Sequence, residues 1–190
     1  MRVAFTGASG TGKTTLAEYA AKKHGLEFNP VGSRSVAKEM GFDSPYDVDK
    51  VGKRAEFQRR LIASKREWEA SHESFVTDRT TFDNLAYLAL HDVQAIDADL
   101  VAAAIDGLRR YTHIIYCPLN AFFAVGDDPM RVKAQDYHTI FDILLEGLFI
   151  RHAWGARVSP LVLETGSIAD RKFGIDAYLA LKDTLVGAQA

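Results

Sequence analysis

The sequence has a single cysteine, only five prolines and no long apolar run among its 190 residues. One cysteine, Cys117, excludes an internal disulfide framework and is typical of proteins from a reducing compartment. The leucine-rich stretch at 140–150 is interrupted by acidic residues and a glycine, so it predicts an amphipathic helix rather than a membrane span. Met1 leads directly into the first apolar run, which leaves no room for a signal peptide. We therefore expect a cytoplasmic protein with no membrane partner.

The chain also lacks an excess of charge of either sign. Its 23 lysines and arginines balance 25 aspartates and glutamates, for a net charge of −2. No overall basic field therefore favours a long nucleic acid as partner, although this balance leaves room for a local basic groove. Between Gly52 and Ser71, apolar residues at helical spacing alternate with lysines and arginines. This pattern predicts a long amphipathic helix with a basic outer face, which is usually a solvated face.

Five apolar runs of strand length alternate with helical patterns. The runs lie at 2–6, 26–31, 74–77, 113–117 and 161–164, and the helical patterns lie at 15–23, 52–71, 82–91, 96–111, 136–154 and 169–186. Strands that alternate with helices predict a parallel sheet covered on both faces. With 47% hydrophobic residues, the chain is expected to form one α/β domain over 1–190.

The chain does contain a glycine-rich motif directly after its first apolar run. Residues 7–14 read G-A-S-G-T-G-K-T, which fits the phosphate-binding pattern G-x-x-x-x-G-K-[ST] at every fixed position. The glycines permit backbone angles that turn successive amides inward, toward phosphate oxygens at the start of a helix. The expected nucleotide-binding residues are Gly7, Ser9, Gly10, Thr11, Gly12, Lys13, Thr14 and Thr15.

Two side chains of this motif have specific expected roles. Lys13 supplies a mobile positive charge for the β- and γ-phosphates, and the hydroxyl of Thr14 is suited to ligate Mg²⁺. ATP and Mg²⁺ are therefore the expected cofactors. The preference between ATP and GTP stays open at this stage.

The third apolar run delivers an aspartate and an arginine at its carboxyl end, the edge where ligands of open α/β sheets bind. Asp78 is suited to hold Mg²⁺ through water or to accept the proton of an acceptor hydroxyl, and Arg79 to steady a phosphoryl group during transfer. We predict that Lys13, Asp78 and Arg79 are catalytic, with Thr14 and Asp78 at the metal.

The segment that begins at Asp78 resembles a known family. Asp78-Arg79 followed by D-N-L-A-Y at 83–87 looks like the D-R-x-x-x-S-x-x-A-Y signature of thymidylate kinases, and is similar to the D-R segments of deoxynucleoside kinases and nicotinamide-riboside kinase domains. The resemblance covers this segment and the glycine motif. It implies a P-loop nucleoside or nucleotide kinase with the three-layer P-loop kinase fold, whose five-stranded parallel sheet is flanked by helices. Asp83 replaces the serine of the signature.

The expected substrate-binding residues are Arg34, Phe57, Gln58 and Asp83. Arg34 follows the second apolar run, where a guanidinium is suited to clamp an acceptor phosphate, and a solvated loop position is the alternative. Phe57 and Gln58 resemble the F-Q pair that stacks on and hydrogen-bonds the acceptor base in deoxynucleoside kinases. A plain core position is the alternative for Phe57.

A charged stretch at 126–137 lies between the fourth apolar run and a long helical pattern. Similar P-loop kinases place a lid there, which closes over the substrates and excludes water. Arg131 is the expected cation of this lid and the fourth predicted catalytic residue. A solvated charged loop is the alternative.

These features predict a Mg²⁺-dependent kinase that transfers the γ-phosphate of ATP to a nucleoside, a nucleoside monophosphate or a related hydroxyl. One alternative is a kinase of a hydroxymethylated base in DNA, which the basic face formed by Lys53, Arg59, Arg60 and Arg66 would bind. Another is a nucleotide-dependent switch or regulatory ATPase. The acceptor and the oligomeric state stay open, with a homodimer as one option.

Overall fold

The computed structural model describes residues 1–119, 135–156, 160–163 and 166–187. Its elements, in chain order, are β1 (Arg2–Thr6), α1 (Lys13–His24), β2 (Glu27–Phe28), α2 (Ser33–Glu39), α3 (Asp47–Lys50), α4 (Arg54–Ala70), β3 (Phe75–Asp78), α5 (Thr81–His91), α6 (Ala98–Leu108), β4 (His113–Tyr116), α7 (Gln135–Ala156), β5 (Leu161–Val162) and α8 (Ile168–Gly187). A 3₁₀ turn at Val93–Ala95 joins α5 to α6. In the described ranges, no helix has the length and apolar character that crossing a bilayer requires.

The sheet has five parallel strands in the order β2-β3-β1-β4-β5, which confirms the predicted α/β architecture. β1 occupies the centre, where Phe5 is paired in register with Asp78 of β3 and with Ile115 of β4. Because the strands are parallel, the loop after β1 and the residues that end β3 emerge at the same edge of the sheet. The register therefore brings the glycine motif and Asp78 together.

Helices cover both faces of the sheet. One face packs against α4, α5, α6 and α7, in a cluster that includes Ala4, Phe75, Phe82, Leu88, Ile114 and Phe141. The other face packs against α1 and α8, in a cluster that includes Val3, Phe5, Leu16, Val76, Ile115 and Leu179. Because the central strands are buried on both sides, they read as continuous apolar runs in the sequence.

The predicted and observed elements differ most between residues 26 and 50. The second strand has two residues instead of six, and the short helices α2 and α3 occupy a region where no helix was predicted. Gly32 is the N-cap of α2, and its N–H donates to the hydroxyl of Ser35 at 3.0 Å. Val36 packs against Phe57 of α4 in a small third cluster. Such short helices depend on tertiary packing, so periodicity detects them poorly.

Candidate active site

The loop between β1 and α1 has the backbone geometry of an anion-binding nest. Gly7, Gly10 and Gly12 have φ angles of 134°, 84° and 82°, which side chains rarely adopt. A Cβ atom at Gly7 would lie 2.1 Å from the carbonyl oxygen of Cys117, so this position also requires glycine for close approach of the backbone. The loop leads directly into the N-terminus of α1, where amides and the helix dipole favour a phosphate group.

Lys13 lies over this loop. Its ammonium donates to the carbonyl of Ala8 and to the hydroxyl of Thr11, at 3.2 Å for the second contact. Burial lowers the pKa of Lys13 to about 8, and the positive charge of Arg79 contributes in the same direction. A bound polyphosphate would favour the charged form of Lys13 and offset this shift.

Arg171 of α8 supports the loop from behind. This buried guanidinium donates to the carbonyl of Thr11 at 2.8 Å and to the carbonyl of Leu163 at 3.0 Å. It therefore connects the nucleotide loop with the end of β5. Nothing in the sequence near Arg171 indicates this contact, because the two chain segments are 160 residues apart.

Thr14 and Asp78 form a compact pair of oxygen ligands beside the loop. The hydroxyl of Thr14 donates to Oδ2 of Asp78 at 2.5 Å. The other carboxylate oxygen, Oδ1, is buried and has no hydrogen-bond partner. Magnesium prefers oxygen ligands of this type, usually one or two carboxylates with water and phosphate completing the shell. An unpartnered buried carboxylate oxygen next to a threonine hydroxyl therefore fits a Mg²⁺ ion.

Arg79 runs along the loop from the opposite side. It has a φ angle of 80°, in the left-handed region, and its N–H donates to the carbonyl of Phe5 at 2.7 Å. Its guanidinium donates to the carbonyl of Gly7 at 3.3 Å and to the hydroxyl of Ser9 at 3.0 Å, and it stacks 4.9 Å from the ring of Tyr87. The positive charge thus lies beside the loop, at the mouth of the phosphate site.

Asp83 does not line the cleft, contrary to its expected role in substrate binding. Its side chain is fully buried. Its two oxygens accept from the hydroxyl and N–H of Thr80 at 2.8 and 2.7 Å, the hydroxyl of Thr6 at 2.6 Å, the N–H of Gly7 at 3.2 Å and the guanidinium of Arg79 at 3.2 Å. Asp83 caps α5 and holds the loop, β1 and Arg79 together.

A cleft of about 730 Å³ extends from the loop toward α2, α4, α5 and α7. At the nucleotide end, it is lined by Ser9, Gly10, Gly12, Lys13, Thr14, Thr15, Asp78 and Arg79. At the far end, it is lined by Arg34, Tyr46, Arg54, Phe57, Gln58, Asn84, Tyr87, Tyr137 and His138, among others. Of the predicted nucleotide-binding residues, Gly7 and Thr11 do not line the cleft. A cleft of this volume is large enough for a small-molecule ligand.

The far end of the cleft carries a pair of side-chain amides next to an aromatic ring. Asn84 donates to Oε1 of Gln58 at 3.2 Å, and Oδ1 of Asn84 is buried with no hydrogen-bond partner. Phe57 is 1% exposed and packs into the third core cluster while it also lines the cleft. Sequence reasoning missed Asn84, although a lone asparagine within the apolar pattern of α5 is a usable signal.

Two arginines border this far end. Arg34 lies in the first turn of α2, exposed and on the cleft wall. Arg54 forms a two-contact ion pair with Asp49, with 2.7 Å between Nε and Oδ1, and lies 5.5 Å from the ring centre of Phe57. The charge of Arg54 is therefore largely matched within the protein.

The predicted lid cation, Arg131, lies outside the described residues, as does 126–134 of the lid candidate. The last three residues of that candidate, 135–137, begin helix α7. Tyr137 lines the cleft, and its hydroxyl is 2.9 Å from Nε2 of His91. This part of α7 therefore borders the far end of the cleft.

The basic face of α4 is largely neutralised. Arg59 pairs with Asp97 at 2.8 Å, Arg66 pairs with Asp106, and Lys53 lies 3.7 Å from Glu56. Three of the four cations that the DNA-kinase alternative required for binding DNA are thus in ion pairs. The part of the chain that the structure describes offers no support for a DNA acceptor or for a homodimer.

Comparison with known proteins places these features in a family. A family model described as an AAA domain matches residues 2–171. No curated protein matches the chain. Among solved structures, deoxyadenosine kinase from M. mycoides with bound dCTP is 15% identical, with a TM-score of 0.66 over 97% of this chain and 100% of the other.

The same enzyme with bound dATP is 16% identical, with a TM-score of 0.64 over 95% and 100% of the two chains. Shikimate kinase from Acinetobacter baumannii in complex with shikimate is 18% identical, with a TM-score of 0.60 over 96% and 93%. At these identities the likeness shows the fold. The chain therefore belongs to the AAA domain family, and it has the fold of deoxyadenosine kinase and shikimate kinase.

Proposed function

We propose that the protein is a kinase that uses ATP and Mg²⁺ to phosphorylate a nucleoside, a nucleoside monophosphate or a related alcohol. The observation that carries this proposal is the position of Thr14, Asp78 and Arg79 at one end of a cleft whose other end is lined by the side-chain amides of Gln58 and Asn84. A nucleotide-hydrolysing switch needs only the nucleotide end of the cleft. A phosphotransferase needs both ends, because the donor phosphate and the acceptor hydroxyl must be aligned within one cleft that excludes water.

The roles of the donor residues follow from their chemistry. The loop amides and Lys13 would neutralise the phosphates, and Thr14 with Asp78 would hold Mg²⁺. When bound, the metal supplies charge stabilisation for the phosphoryl group and orients it. Arg79 is suited to stabilise the charge that develops on the transferred group, because its guanidinium already lies beside the loop.

The far end of the cleft favours a nucleoside-type acceptor over a simple alcohol. Gln58 and Asn84 together offer hydrogen-bond donors and an unpartnered acceptor, which match the polar edge of a nucleobase. Phe57 supports this wall from the core, which agrees with the core position that was the alternative for it. The fold neighbour deoxyadenosine kinase supports this class of acceptor. Arg34, on the cleft wall, would bind a phosphate on it.

A screen of ATP consumption tests the proposal. Nucleosides, nucleoside monophosphates, shikimate and duplex DNA with a hydroxymethylated base are each added to the protein with ATP and Mg²⁺. We expect at least one nucleoside or nucleotide to accelerate ADP release and to yield a phosphorylated product by mass spectrometry. If no acceptor accelerates ADP release, the kinase proposal fails and a regulatory ATPase is favoured.

The variant Asp78→Asn tests the role of the carboxylate. It should lower turnover by about 10³-fold, because the metal loses a charged ligand at the transferred phosphate. Asp99→Asn is the matched control, since Asp99 is an exposed carboxylate in the first turn of α6. Turnover in Asp78→Asn that equals turnover in the control would overturn the assignment.

A further inference from the structure

Lys65, in the middle of α4, is a buried cation with no role in the proposed donor or acceptor site. Its side chain is 2% exposed, and its ammonium donates to the hydroxyl of Thr77 at 2.7 Å and to the carbonyl oxygen of Asp78 at 3.1 Å. Burial of an ammonium group is strongly unfavourable unless its partners compensate for the lost hydration. The neighbouring Ile62 fills the same core with an apolar side chain. A cation in this place therefore calls for a specific explanation.

The carbonyl that Lys65 contacts belongs to the peptide unit that joins Asp78 to Arg79. The N–H of the same unit donates to the carbonyl of Phe5 at 2.7 Å. Both polar ends of one peptide plane are thus held, one by Lys65 and the other by β1. The plane needs such support because Arg79 has a left-handed backbone, which is strained for a residue with a side chain.

The orientation of this peptide decides where two functional side chains go. On one side of it, Asp78 reaches the hydroxyl of Thr14. On the other side, Arg79 reaches Gly7 and Ser9 of the loop. Rotation of the plane would turn both side chains away from the phosphate site together. A displacement of about 1 Å at such a site is enough to lower a reaction rate by about 10²-fold.

A buried carboxylate on the same helix attracts the charge of Lys65. Glu69, one helical turn further along α4, is buried and accepts from the hydroxyl of Tyr111 at 3.1 and 3.2 Å and from Asn29 at 3.4 Å. Its carboxylate and that of Asp78 both attract the Lys65 ammonium. Lys65 is thereby attracted by both a structural carboxylate and the metal-site carboxylate.

We propose that Lys65 is a positioning residue that fixes the Asp78–Arg79 peptide, so that Asp78 faces the metal and Arg79 faces the transferred phosphate. The inference rests on the proposed function for the roles of Asp78 and Arg79. The positioning effect of Lys65 acts on the Mg²⁺-dependent binding of ATP, before phosphoryl transfer. It can therefore be measured without an acceptor.

The test compares ATP binding across a Mg²⁺ titration in the parent protein, in Lys65→Met and in Ile62→Ala. We expect Lys65→Met to raise the Mg²⁺ concentration at half-effect by about 10- to 100-fold, as for loss of other groups that orient a metal ligand. ATP affinity without Mg²⁺ should change by less than about threefold, since the loop is intact. Ile62→Ala, a core truncation on the same helix, controls for general loss of stability and should leave the Mg²⁺ dependence unchanged.

An unchanged Mg²⁺ dependence in Lys65→Met, or an equal change in Ile62→Ala, would overturn the proposal. If Lys65→Met does not fold, Lys65→Gln takes its place in the experiment. Burial of a neutral amide is less unfavourable than burial of the lysine ammonium, and the glutamine side chain is too short to reach the Asp78 carbonyl. We expect a rise of at least about threefold in the half-effect concentration for Lys65→Gln; parental behaviour would refute the positioning role.

A double variant separates positioning from general stabilisation. In an Asp78→Asn background, Lys65→Met should change the Mg²⁺ dependence by less than about twofold, because both residues act through one carboxylate. Full additivity would contradict the proposal. These titrations contain no acceptor, so a failed acceptor screen would defeat the kinase proposal and leave this inference standing on its own result.

Discussion

The two ends of the cleft are built in different ways. At the nucleotide end, the loop is held by partners within the protein, because the fully buried Asp83 alone ties Thr6, Gly7, Arg79 and Thr80 together. The buried oxygen without a partner at this end, Oδ1 of Asp78, is the one proposed to bind Mg²⁺. At the acceptor end, Oδ1 of Asn84 is buried without a partner. Preorganised hydrogen-bond donors suit a ligand that always binds in the same orientation, such as the phosphates of the donor nucleotide. Unsatisfied groups suit a ligand that completes the hydrogen bonds itself, which is where specificity arises.

The largest expected effect breaks the preorganised end. Asp83→Asn should lower the free energy of unfolding by about 3–4 kcal/mol. Both carboxylate oxygens accept hydrogen bonds, and the amide nitrogen that replaces one of them cannot accept; the negative charge opposite Arg79 is also lost. Urea denaturation measures the loss, with Asp99→Asn as the control. A stable variant with a raised KM for the acceptor would instead restore the substrate-binding role predicted for Asp83.

A smaller effect is expected at the acceptor end. Asn84→Leu keeps the approximate volume but removes the hydrogen-bonding groups, so kcat/KM for a nucleoside acceptor should fall by about 10- to 100-fold. ATP affinity should stay at the parental value, because Asn84 does not contact the loop. The control is Gln94→Leu, an amide replaced at an exposed site in the turn before α6. Equal losses in ATP affinity and in acceptor kcat/KM would argue against two independent ends.

The smallest effect is a pH dependence at the nucleotide end. The pKa of Lys13 is lowered to about 8, so the side chain is charged below that pH and neutral above it. ATP favours the charged form, and its affinity should therefore fall as pH rises, by about tenfold per unit above pH 8 until the pKa of the complex is reached. Lys13→Arg stays charged at these pH values and should give weaker but pH-independent binding. A persistent slope in that variant would assign the dependence to another group.

Much of the nucleotide end was predictable because its signals are local in the chain. The motif at 7–14 specifies the loop, and five apolar runs specified the five parallel strands, although β2 proved much shorter than predicted. The position of Asp78 beside Thr14 also follows from the parallel order, because strand ends meet at one edge. In contrast, α2 and α3 were missed because short helices are stabilised by packing rather than by their own periodicity.

The sequence by itself determined that a polyphosphate loop opens an α/β sheet and that an Asp-Arg pair stands at its edge, because glycine geometry and apolar periodicity are properties of neighbouring residues. Only the tertiary structure decided that Asp83 is a buried support, that Asn84 hydrogen-bonds to Gln58 at the far end of the cleft, and that Lys65 and Arg171 contact the site from behind. These contacts join residues that are far apart in the chain. A buried charged side chain needs partners, and only tertiary packing determines which groups lie close enough to be those partners.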